Sequence, residues 1–137
     1  MHDDSTDTRV EAAAIAAIGH AALAAHVERS DVFLLDVRKH ARGGQIYGAI
    51  RYDPKKLLDA ERLILPLPKT DGTIVLYDEH GDSRALNELA AKVRDNGYAG
   101  VRVLEGGYAA WEKAGGRMED PTLEQPVPLV SEHQINR

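Results

Sequence analysis

Apolar and polar positions fall in blocks along this chain, and the blocks differ in period. Val32 to Val37 (VFLLDV) and Thr73 to Tyr77 (TIVLY) are short, nearly unbroken apolar runs, the pattern of strands covered on both faces of a parallel sheet. Val101 to Leu104 (VRVL) is a third, shorter run. Ser83 to Asn96 has another rhythm: Leu86, Leu89, Ala90 and Val93 form one stripe, as on an amphipathic helix, and Asn96-Gly97 is a stop signal. Ala21 to Arg29 predicts a helix with Leu23 and Val27 on one face and Arg29 at the negative end of its dipole. Pro54 suits the first turn of a helix running from about Lys55 to Leu63. Tyr108 to Ala114 predicts a short helix carrying the sole tryptophan, Trp111. Strands alternating with helices predict an α/β fold built around a parallel sheet.

The segments between and beyond these elements are weaker. Residues 1–9 are polar and predict a disordered N-terminus, and alanine-rich Val10 to Ala17 predicts an extra helix. Gln45 to Ile50 predicts a short strand with Gly48 at a turn, and Pro66 and Pro68 forbid a regular element around Leu67. Gly106-Gly107 is a tight turn; it lacks the lysine of a phosphate-binding loop. Three prolines after Met118 predict an irregular tail over 119–137, which leaves 10–118 as the domain.

Composition narrows the function classes. A chain of 137 residues with 43% hydrophobic and 28% charged residues suits one globular domain, and no second is expected within it. A net charge of −5 disfavours nucleic acid or an anionic membrane as partner. No window approaches the about 20 apolar residues of a membrane span. The acidic start MHDDSTDTR lacks the basic and apolar parts of a signal peptide, so the expectation is a cytoplasmic protein, monomer or homodimer. The absence of cysteine removes disulfides, thiolate metal sites and thiol catalysis together.

Candidate chemistry concentrates after the strand Thr73 to Tyr77. The loop Asp78, Glu79, His80, Gly81, Asp82, Ser83, Arg84 leads into the amphipathic helix. Such a strand-to-helix crevice gathers backbone N–H groups and the positive end of a helix dipole, and open α/β sheets bind ligands there.

Three further pieces occur in order: LLDVR (Leu34 to Arg38), G-x-I-x-G-A (Gly44 to Ala49) and V-x-V-L-x-G-G-Y-x-x-W (Val101 to Trp111), with Gly97-Tyr98 between the last two. Together they resemble the rhodanese-like (sulfurtransferase) domain, from about Ile18 to Met118. The resemblance implies a three-layer fold with a central parallel sheet and helices on both faces. It also implies a loop that opens with a nucleophilic cysteine, which carries sulfane sulfur as a persulfide among the loop N–H groups. In active members that cysteine is followed by two variable residues, a glycine, another variable residue, and then usually Arg and Ser or Thr. Here the glycine is Gly81, the cysteine position holds Asp78, the Arg position holds Ser83, and Arg84 falls one place later. The loop from Arg38 to Gly44 is shorter than usual in the family, and Gln45 stands where a histidine is common.

A carboxylate cannot hold and release sulfane sulfur. Asp78 has two other roles open to it. It can accept hydrogen bonds from the amides of its own loop, filling it as a built-in anion and reaching several N–H groups from His80 to Arg84, or it can simply cap a turn. A phosphate-accepting aspartate needs further acidic residues for Mg²⁺ and a lysine on a later strand, where this chain offers Arg102. Asp78, Glu79, His80 and Asp82 are the densest set of metal-ligand types, but consecutive loop side chains splay apart, and no metal or other cofactor is expected. Among the histidines His2, His20, His26, His40, His80 and His133, only His80 is placed for function. Ser83 fits a helix N-cap, Asp36 and Arg38 fit a structural ion pair or a loop hydrogen bond in support of the site, and Leu104, Tyr108 and Trp111 fit the core. The expectation is therefore a non-catalytic binding or regulatory module with an unknown protein partner. The alternatives are an enzyme of another type, phosphatase-like, hydrolytic or metal-dependent, using Asp78 and His80, or a residual role in sulfur transfer through a partner.

Overall fold

A computed structural model describes residues 15–70 and 72–127. Five parallel strands form the central sheet in the order β1 (Ala16–Ile18), β6 (Val101–Leu104), β5 (Thr73–Tyr77), β2 (Val32–Asp36), β4 (Ile50–Arg51). A second, antiparallel pair joins β3 (Gln45–Ile46) to β7 (Met118–Glu119). The helices are α1 (His20–Arg29), α2 (Pro54–Asp59), α3 (Arg84–Asp95) and α4 (Gly107–Lys113).

The two-residue period of the strands divides the core. On β5, Ile74 and Leu76 pack with Leu57 of α2 and with Leu86, Leu89, Ala90 and Val93 of α3. Their neighbours Val75 and Tyr77 pack on the other face with Leu23 and Val27 of α1 and with Tyr108 and Trp111 of α4. Alternate side chains on a strand point to opposite faces, so one buried run serves two cores. The chain is thus a three-layer α/β domain with helices on both faces of a parallel sheet.

Two boundaries differ from the pattern. Ala16 and Ala17, the end of the alanine-rich segment, form a strand paired with Arg102 and Val103; residues 10–14 of the expected helix lie outside the described residues. Alanine's helix preference is a fraction of a kcal/mol per residue, and ladder hydrogen bonds to β6 override it. The helix expected to reach Leu63 ends at Asp59. Beyond it, Leu63 N–H donates to Asn96 Oδ1 at 3.0 Å and Leu65 N–H to the Tyr98 hydroxyl at 2.7 Å, partners the local sequence does not contain.

The tail, expected to be irregular over 119–137, has no helix or strand over 120–127 beyond a single bridge of Glu124 to Arg51. Glu119 lies in β7, and 120–127 follow as a strap along the sheet's edge. Gln125 N–H donates to the Arg51 carbonyl at 2.8 Å, which closes the open side of β4. Gln45, fully buried, holds the strap: its amide nitrogen donates to Glu119 Oε2 at 2.7 Å, and its oxygen accepts from Thr122 N–H at 2.9 Å.

Candidate functional site

β5 ends at Tyr77 and α3 begins at Arg84, so 78–83 bridge the sheet's carboxyl edge to a helix N-terminus. Asp78 turns back into this loop. Its Oδ1 accepts from Gly81 N–H at 2.6 Å, and its Oδ2 accepts from the Ser83 hydroxyl at 2.8 Å. Ser83 Oγ in turn accepts from Leu86 N–H at 3.0 Å and is the N-cap of α3. Of the several amides expected on the carboxylate, one is there, Gly81; a hydroxyl takes the second position.

The loop is also fastened from outside. Tyr108 N–H donates to the Asp78 carbonyl and Ala109 N–H to the Glu79 carbonyl, both at 2.9 Å, so the loop backbone caps the start of α4. The backbones approach closely enough to require glycine on each side. Gly81 has φ +77, and a Cβ there would sit 2.5 Å from the Leu104 carbonyl oxygen; Gly107 has φ +63, and a Cβ there would sit 2.7 Å from the Asp78 carbonyl oxygen.

Beneath the loop lies a buried polar cluster. Asp36 and Arg38 pair at 2.7 Å with side chains 0% and 1% exposed. Arg38 also donates to the Arg42 carbonyl at 3.1 Å and to the Gly44 carbonyl at 2.5 Å, which shapes the 38–44 loop. Its guanidinium carbon stands 3.9 Å over the Tyr108 ring. Burial works against that charge, but the hydrogen bonds and charge of Asp36 outweigh it and hold the guanidinium pKa above its ordinary value. Tyr77 donates to Asp36 Oδ2 at 2.8 Å and accepts from Ile46 N–H at 3.1 Å; burial, then the Asp36 charge, push its phenol far above the usual range.

A cleft of about 670 Å³ opens above, between the 37–42 loop and the start of α3. Glu79 lines it and pairs with Arg42, which also reaches Glu112 of α4 at 3.1 Å. Hydrogen bonds first to Glu79 and then to Glu112 raise the Arg42 pKa. His80 lines the cleft as well and is exposed, while Asp82 and Arg84 are exposed and do not line it. With Asp78 bonded inward and Glu79 on Arg42, the acidic residues of the loop do not converge. Among the described residues no group of three or more His, Asp or Glu is placed to hold a metal ion.

Residue patterns missed part of this site. Lys39, His40, Arg42 and Pro54 line the cleft beside Leu86 and Leu89, and Glu112 anchors its rim. One signal was present: the 38–44 loop also follows the carboxyl end of a central strand, where open α/β sheets place their ligands.

The fold and loop place the chain in a class, parallel α/β domains with a strand-to-helix site loop. The family model of the rhodanese-like domain matches residues 20–114, and the chain belongs to that family. Its fold is similar to that of a Rhodopseudomonas palustris protein of unknown function, a possible tyrosine phosphatase, with 26% identity and a TM-score of 0.63 over 85% of this chain and 89% of that one. A full-length Lactobacillus plantarum protein shares the fold at 24% identity, with a TM-score of 0.65 over 88% and 100% of the two chains. SseA from Escherichia coli, a 3-mercaptopyruvate sulfotransferase, shares it at 24% identity and a TM-score of 0.61. The match covers 82% of this chain and 53% of SseA, about half its length. A comparison with curated proteins gives no match. Among the described residues no helix is long and apolar enough to cross a membrane.

Proposed function

We propose that this rhodanese-like domain is a non-catalytic binding or regulatory module that uses the face around the Asp78 loop. One observation carries the proposal: the position that holds the nucleophile in active relatives holds a carboxylate whose two oxygens accept from Gly81 and Ser83. Sulfur transfer needs a polarisable nucleophile that takes up sulfane sulfur and gives it away, and the chain has no cysteine to supply one. The loop's framework is kept, with its glycine, its helix cap and its contacts to α4, so the site persists as a shaped surface.

The competing proposal is an enzyme that uses Asp78 with His80 for hydrolysis or phosphoryl transfer, for which the Rhodopseudomonas palustris likeness is a hint. It would require Asp78 to give up both hydrogen bonds before acting on a substrate. The test is turnover by the purified chain in a thiosulfate:cyanide assay and in a p-nitrophenyl phosphate assay. Both are expected to be blank. Turnover in either that Asp78→Ala abolishes would overturn the non-catalytic proposal.

A further inference from the structure

The cleft beside the loop has a size, about 670 Å³, typical of pockets that enclose a small organic molecule. Its floor is apolar: Pro54 of α2 and Ala85 of α3 present their carbons to the cleft, with the almost fully buried Val37, Leu86 and Leu89 behind them. Its charges are unevenly committed. Arg38 is taken by Asp36, Arg42 by Glu79 and Glu112, and Asp78 by Gly81 and Ser83. The lining side chains that can carry charge and have no ion pair or hydrogen bond among the described residues are Lys39, His40 and His80, all of them basic. An incoming anion meets the Asp78 carboxylate already on the loop, so the loop repels it and Lys39 attracts it.

We propose that the cleft binds a small organic anion with an apolar body. The charged head sits at Lys39 and His40, and the body lies on Pro54 and Ala85, over the buried Val37, Leu86 and Leu89. The proposal deepens the non-catalytic reading and rests on it in one respect, that Asp78 stays inside its loop. It differs from the capture of a small oxyanion by loop amides: the head is held by side chains of the opposite lip, and the body is held against the cleft's apolar wall.

The test is an amide chemical-shift titration of the isotope-labelled full chain with naphthoate as probe. Naphthylmethylammonium, with the same rings and the opposite charge, and acetate, with the charge and no rings, are the controls. Naphthoate should give saturable shifts at Lys39, His40, Leu86 and Leu89, and both controls should bind at least about tenfold more weakly. Lys39→Glu, on an exposed loop, should weaken naphthoate about tenfold, while Lys39→Arg should keep its affinity. Equal binding of naphthoate and the ammonium, shifts scattered away from the cleft, or an unchanged affinity in Lys39→Glu would each overturn the assignment. A thiosulfate:cyanide assay on the same sample separates the two failures. Turnover there sinks the non-catalytic reading whatever naphthoate does, whereas blank turnover without naphthoate binding sinks the ligand assignment alone.

Discussion

Asp78 accepts from the amide of Gly81 at 2.6 Å, which ties the first residue of the loop to its fourth. The second carboxylate oxygen takes the Ser83 hydroxyl, and that oxygen takes Leu86 N–H, so the end of β5 is linked to the first turn of α3 through two side chains.

Asp78→Ala removes the acceptor of a partly buried N–H and of the N-cap hydroxyl. The expected loss is roughly 1–3 kcal/mol of unfolding free energy, read from urea denaturation. Asp78→Asn, which keeps an oxygen for Gly81, should lose less. Exchange of the Gly81 amide should speed up in Asp78→Ala relative to the wild-type chain, and an unchanged rate would show that the bond is not formed in solution.

Asp78→Cys gives the chain a single thiol at the family's nucleophile position. The thiolate should attack the outer sulfur of thiosulfate, release sulfite and keep one sulfur as a persulfide, visible as a one-sulfur mass gain that dithiothreitol reverses. With no other cysteine in the chain the readout has one source. A variant that folds but gains no mass would place the loss of chemistry beyond position 78, at Ser83, Arg84 or the short 38–44 loop.

Breaking the Asp36–Arg38 pair should be expensive, because both side chains are almost fully buried. Arg38→Met strands the Asp36 charge and should cost about 3–5 kcal/mol. It should also loosen the 38–44 loop, whose Arg42 and Gly44 carbonyls lose their donor. The double variant Asp36→Leu with Arg38→Met should recover a large part of that stability in the same denaturation experiment. A double variant as unstable as the single one would locate the loss in the loop contacts and in the buried Tyr77 hydroxyl, which loses its acceptor, instead of the buried charge.

Tyr77 makes alkaline stability a test of the same cluster. Its folded pKa is raised by burial and then by Asp36. A group raised on folding contributes stability that is complete below its unfolded pKa, near 10, and is lost as pH rises above that value. Unfolding free energy should therefore fall above that pH by up to about 1.4 kcal/mol per pH unit. Tyr52 and Tyr108, also raised by burial, add to the slope. Tyrosinate absorbance should show Tyr77 ionising only with unfolding, and Tyr77→Phe should flatten the alkaline limb.

Much of this was legible in the residues. The apolar runs 32–37 and 73–77 became β2 and β5, the stripe Leu86, Leu89, Ala90 and Val93 became the buried face of α3, and Asp36 and Arg38 became an ion pair. These elements carry their own signal, since period and apolar content are local properties. The alanine run and Leu63 misled for the opposite reason. Ala16 and Ala17 take their strand from β6, about 85 residues later by the paired positions, and the 61–65 segment takes its hydrogen bonds from Asn96 and Tyr98. Gln45 reads as a departure from the family pattern, and only in the fold does it become the clasp of the C-terminal strap.

The order of residues by itself determined the α/β class, the family, the place of the loop and the absence of a thiol, because each depends on residue type and spacing along one stretch. Tertiary structure alone decided that the Asp78 carboxylate bonds to Gly81 and Ser83, that Arg42 spans Glu79 and Glu112, and that Lys39 lines the cleft with no partner among the described residues. Hydrogen bonds and ion pairs form only within about 3–4 Å. Which distant side chains come that close is set by how the sheet and helices pack, and no local pattern records it.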